Sequence, residues 1–134
     1  MRKAQVSMEY LIIVGFVTAI TIPLIFIFNT HSAEVNEQII ANQADSIATK
    51  IVESAESVYY LGESSKVTFR VQMPEKITSV LIGNNEIVFF VNRISGTDQV
   101  VKWCPIPING SIAYTPGIHK IVVESKGDYV LVSN

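Results

Sequence analysis

The chain is poor in the residues that build metal and disulfide sites. It has one cysteine, Cys104, and two histidines, His31 and His119, far apart in sequence. A single thiol excludes a disulfide framework within the chain and a cysteine-based zinc site. Basic excess is missing too: ten Lys and Arg stand against twelve Asp and Glu, a net charge of −2. A polybasic nucleic-acid binder is therefore excluded, since phosphate neutralisation needs surplus cations. Charge of either sign is scarce, at 16% of residues, while 49% are hydrophobic. Disorder demands the opposite balance. At 134 residues the length suits about one domain.

The charges are unevenly placed. Between Tyr10 and Ala33 there is no Asp, Glu, Lys or Arg. Tyr10 to Phe28 reads YLIIVGFVTAITIPLIFIF. As a helix it spans roughly 28 Å, close to the hydrocarbon thickness of a bilayer. A helix apolar on all faces belongs in lipid or in the core of a large protein. Arg2 and Lys3 precede it, so the positive-inside rule keeps that end in the cytoplasm and sends the remainder outside. The run is longer than a secretory h-region and ends FIFNTHS, with no small-x-small cleavage site, so it is expected to be retained.

Glu9 sits directly at the start of this span, where an unpaired carboxylate is expensive. It is either an interfacial residue reaching headgroup water or one half of a pair with a cation from elsewhere. The residues around it, Gln5-Val6-Ser7-Met8-Glu9-Tyr10, resemble the Q-x-S-x-E-Y signature of archaeal class III signal peptides, carried by type IV pilin-like precursors. The resemblance implies cleavage between Ala4 and Gln5 by a prepilin peptidase, with residues 1–4 as the leader. It also implies that Glu9, the fifth residue after cleavage, pairs with the new α-amine of an adjacent subunit during assembly.

Pro23 lies inside the apolar span and deprives the Ala19 carbonyl of its helical donor. Two readings stay open: a tolerated membrane-helix kink, or a point of local unwinding in a filament. Gly15 and Pro23 are the weak points, with Thr18 and Thr21 placed to bond freed carbonyls. From Ala33 to Leu61 the apolar residues Val35, Ile39, Ile40, Ala44, Ile47, Ile51, Ala55 and Val58 recur at helical spacing. Gly62 is a stop signal. The reading is one long helix over 5–62, apolar over 10–28 and amphipathic over 33–61.

Residues 63–134 read as a β-rich head. Lys66 to Met73 alternates. Ile77–Ile82 and Glu86–Ile94 flank Gly83-Asn84-Asn85 as a hairpin. Gln99–Cys104 is a short strand, and Ile118–Ser125 with Tyr129–Ser133 flank a final turn. Five or six strands predict a small antiparallel sheet or sandwich packed on the amphipathic helix, an α+β class. Cys104 to Gly117 holds three of the five prolines and reads as an extended surface loop. Within it Asn109-Gly110-Ser111 matches the N-glycosylation sequon. Cys104 reads as a buried small hydrophobe, and His119 as an exposed strand residue.

No Gly-rich phosphate loop, nucleophile-base constellation or paired carboxylate set is present in the sequence, so neither an enzyme nor a cofactor is expected. The expected function is that of a structural pilus subunit. Its precursor spans the membrane once, and the processed chain joins an extracellular filament. Its partners would be identical or related pilins, the peptidase, and an assembly ATPase with its membrane platform. The alternative is a membrane-anchored binding module, or a minor pilin, that does not form the filament body.

Overall fold

The computed structural model describes residues 2–134. Met1, the first residue of the expected leader, lies outside them. One helix and seven strands succeed one another: α1 (Arg2–Leu61), β1 (Lys66–Met73), β2 (Ile77–Gly83), β3 (Glu86–Arg93), β4 (Gly96–Trp103), β5 (Ile108–Gly110), β6 (Gly117–Ser125) and β7 (Val130–Ser133). The class is α+β. By contacts the chain divides into two units, one ending at Asn36 and one running from Glu37 to Asn134.

The first unit is helix alone. Residues 2–4 of the expected leader are helical and continuous with the apolar segment. Every residue from Lys3 to Ser32 is exposed. The helix runs through Gly15 and Pro23 without a break in its assignment. Thr18 and Thr21 donate to the carbonyls of Val14 and Val17, both at 2.7 Å. They therefore bond the carbonyls one turn back, not the Ala19 carbonyl that Pro23 releases, because a helical threonine hydroxyl reaches back three or four residues and Ala19 stands at neither distance before Thr18 or Thr21.

In the second unit the helix packs on the sheet. Ile40, Ala44, Ile47, Ala48, Ile51, Val52, Ala55 and Val58 are buried. Small residues at 44, 48 and 55 let the helix backbone approach the strands. The stripe is displaced from the sequence expectation: Val35 and Ile39 are exposed, and Ala48 and Val52 join the core. The 3.6-residue turn rotates any four-residue series steadily off a face. Helix α1 ends at Leu61, and Gly62 adopts φ 100°, the left-handed C-terminal stop.

The sheet order is β1-β6-β7-β5-β2-β3-β4. It is a single mostly antiparallel sheet, with one parallel pair between β5 and β7. Asn84 and Asn85, at φ 53° and 64°, form the two-residue turn of the β2–β3 hairpin. Two successive left-handed residues are what a type I′ turn requires. Ile87, Phe89, Val91, Ile121, Val123, Val130 and Val132 bury their side chains. Strand β4 begins three residues before the expected Gln99, extended by its full pairing with β3.

The segment Cys104–Gly117 is only in part a surface loop: residues 111–116 carry no regular structure and are mostly exposed, but the residues before them contribute to the sheet and its core. Ile108–Gly110 forms β5 and bridges β2 to β7. Cys104, Ile106, Ile108 and Ile112 are buried, at 6% exposure or less. Prolines at 105 and 107 interrupt the ladder there, but the alternating isoleucines supply core.

Candidate functional site

Two regions hold the residues singled out from sequence. The first is the start of α1. The helix carries no acid in its first turn, while Lys3 puts positive charge at the positive end of its dipole, the unfavourable sense. Ala4 and Gln5 lie within helix, exposed, and Glu9 is exposed on the same segment. Positions three and four away from Glu9 are Gln5, Val6, Ile12 and Ile13, so the helix itself supplies no cation. Among the described residues no ion pair includes Glu9.

Beyond Glu9 lies the apolar segment. Its most apolar 18-residue window has a mean hydropathy of 2.8, and none of it is buried. Tyr10, Phe16, Phe26 and Phe28 are each about two-thirds exposed or more. By length and composition this helix is able to cross a membrane. His31 lies 3.5 Å from Glu34 one turn on, both exposed.

The second region is the sheet face turned away from α1. Register places Leu81, Val88 and Val101 in one row across β2, β3 and β4, with Glu86 opposite Trp103 in the β3–β4 pair. Leu81 is 59% exposed and Trp103 68% exposed. Asn109 is exposed, while its neighbour Ile108 is buried on the other side. A groove of about 340 Å³ lies between Leu81, Glu86, Val88, Gly110 and Ser111. Sequence reasoning misses this outward apolar row. Its signal is available: Val80-Leu81-Ile82 and Val100-Val101 are contiguous apolar runs, which put apolar groups on both faces of a strand.

The remaining residues fall into place simply. Cys104 is fully buried, and burial pushes its thiol pKa above the usual value. His119 is half-buried in β6, its Nε2 2.6 Å from the Thr115 carbonyl oxygen. On the rim Lys126 donates to Glu124 at 2.8 Å, which holds the Glu124 carboxyl below its usual range. Among the described residues no three of His, Cys, Asp and Glu converge on a metal-sized site.

No protein-family model matches the chain, and no curated protein or solved structure matches it. The long apolar helix leading into a β-sheet is compatible with a pilin-like architecture.

Proposed function

We propose that the chain is the precursor of a structural subunit of an archaeal type IV-like pilus. The observation that carries the reading is one stretch of helix. The signature Gln5–Tyr10 runs directly into a charge-free apolar segment whose side chains are all exposed. Exposed apolar surface on this scale needs a cover, at about 1.5–3 kcal/mol for each large side chain. Lipid provides it before assembly and neighbouring helices provide it afterwards.

Lipid tails are as apolar as leucine, so moving a helix from bilayer to filament gains little from the hydrophobic effect. Packing and polar pairing must supply the bias. Cleavage between Ala4 and Gln5 removes Arg2 and Lys3 and creates an α-amine four residues before Glu9. A neighbour's amine then meets the carboxylate in an apolar setting. Open, repeating contacts of this type build filaments rather than closed rings. The β-rich unit is displayed outside the cell.

The test is the N-terminal sequence of the protein recovered from native cells, with sheared filaments and membranes analysed apart. A chain beginning Gln5-Val6-Ser7, abundant in the filament fraction, is the expected result. The same processed chain confined to membranes indicates a minor subunit or an anchored binding module. An uncut chain in the presence of active peptidase overturns the reading.

A further inference from the structure

We infer that the β-rich unit docks on a second copy of the chain, with Arg70 and Lys120 of one copy meeting Glu86 and Trp103 of the next. The contact deepens the filament reading proposed above and rests on it. Charge complementarity between two patches of one sheet carries it.

Arg70 in β1 stands directly opposite Lys120 in β6, both exposed. Like charges so placed repel one another. Glu86 in β3 stands opposite Trp103 in β4, again both exposed. All four lie on the face away from α1, since Val71, Ile121 and Ile87 beside them are buried on the other side. Among the described residues no ion pair includes Arg70, Lys120 or Glu86. Each patch lacks what the other holds. A carboxylate relieves the two cations, and the Trp103 ring, 68% exposed, offers its face to one of them.

An apolar group accompanies each patch at the same spacing. Ile118, 71% exposed, lies two residues before Lys120 on one face of β6. Val101 lies two residues before Trp103 on one face of β4, in a row with Leu81, and both are more than half exposed. The strand repeat sets either step at about 7 Å. Ile118 therefore comes over Leu81 and Val101 when the cations come over Glu86 and Trp103.

The shape of the sheet makes the contact one-sided. Strands β1 and β4 are the two edges of a seven-stranded sheet, about 29 Å apart along it. Yet both reach α1: Lys50 Nζ lies 5.1 Å from the Phe69 ring centroid, and Lys102 bonds Asp45. A helix is only about 10–12 Å across. The sheet must curve around α1, so its outward face is convex, with one patch toward each edge. Two convex faces touch at one place. A copy then meets one neighbour through Arg70 and Lys120 and another through Glu86 and Trp103, a contact that repeats without closing.

The test is zero-length carbodiimide cross-linking of sheared filaments and of membranes from native cells, read by mass spectrometry. An amide link between Glu86 and Lys120 of different copies is expected. Within one copy the two residues sit toward opposite edges of the sheet and do not link. Lys120→Arg keeps the filaments and loses the link, because guanidinium keeps the charge but is not coupled. Glu86→Arg is expected to lower filament yield about tenfold or more, since like charges then face each other. Adding Arg70→Glu and Lys120→Glu to it restores the yield. Filaments without the link, or wild-type yield from Glu86→Arg, overturn the inference and leave the pilin reading standing. Linked oligomers confined to membranes, from a chain that builds no filament, keep the contact and overturn the pilin reading. Glu86 linked to a different protein overturns the second copy as the occupant.

Discussion

Lys102 reaches from β4 to Asp45 on α1, Nζ to Oδ1 at 3.3 Å, and ties an edge strand to the helix across 57 residues of sequence. Both side chains keep substantial contact with water, at 35% and 51% exposure. An ion pair in that position contributes little, on the order of 0–1 kcal/mol. A double-mutant cycle with Asp45→Asn and Lys102→Met, read by urea unfolding in detergent, is expected to return a coupling energy inside that range. The coupling shrinks further as salt is raised. A salt-independent coupling well above that range would show that the pair is desolvated.

The helix–sheet core carries far more. Ile51 is fully buried on α1, among the residues that pack on the sheet. Ile51→Ala removes three buried carbons and leaves a cavity, at a cost of about 2–5 kcal/mol. Small domains hold only about 5–15 kcal/mol in total. The variant is therefore expected to lower the urea midpoint sharply, with an unchanged slope. Glu53→Ala, exposed on the same helix, is expected to leave the midpoint within error.

Most of this core is legible from residue spacing, and the reason is periodicity. The helix repeat from Ile40 to Val58 and the alternation in Lys66–Met73 each have one dominant face, so pattern and packing agree. The Cys104–Gly117 segment reads as a loop because prolines dominate the local signal. The isoleucines at 106, 108 and 112 carry a weaker alternation that only pairing to β2 and β7 makes visible. The groove between Leu81, Glu86 and Ser111 is illegible for a different reason. It joins residues 81–88 to residues 110–111 in a sheet with a parallel β5–β7 contact, and no local pattern encodes a non-sequential strand order.

Gly110 is a direct test of that strand order. Alanine there keeps the sequon but places a methyl group against the Val132 carbonyl oxygen, at a positive φ that side chains avoid. Overpacking of this kind costs typically about 1–3 kcal/mol. Gly110→Ala is expected to unfold at lower urea than wild type and to speed amide exchange in β5 and β7. Gly15→Ala meets open space on a helix and serves as the control.

Cys104 gives the fold an alkaline limit. Burial raises its thiol pKa above the ordinary 9.0. A raised pKa in the folded state means that the native chain holds the proton more tightly than the unfolded chain. The associated stability is complete below pH 9.0 and is lost as pH rises toward the folded value. Tyrosines and lysines titrate in the same window, so the measurement is a difference. The stability of wild type minus that of Cys104→Val is expected to be flat from about pH 6 to 8 and to fall above about 9. The buried thiol is likewise expected to resist alkylation until the chain unfolds.

Glu9 is the residue on which assembly is proposed to turn. Glutamine preserves its shape and helix propensity while removing its charge. In an apolar setting the partner amine would then be left uncompensated, at a cost of roughly 3–5 kcal/mol. Part of that cost is relieved if the amine reaches water, so the expected loss is put lower. Filament yield from Glu9→Gln cells should fall at least about tenfold, which corresponds to about 1.4 kcal/mol. Glu9 also lies within the Gln5–Tyr10 signature, so the same cells must be checked for cleavage after Ala4. Processed Glu9→Gln chains accumulating in the membrane, with few filaments outside, locate the defect in assembly. Uncut chains would locate it in peptidase recognition. Wild-type filament yield from processed Glu9→Gln chains would show that subunit register is set elsewhere on the helix.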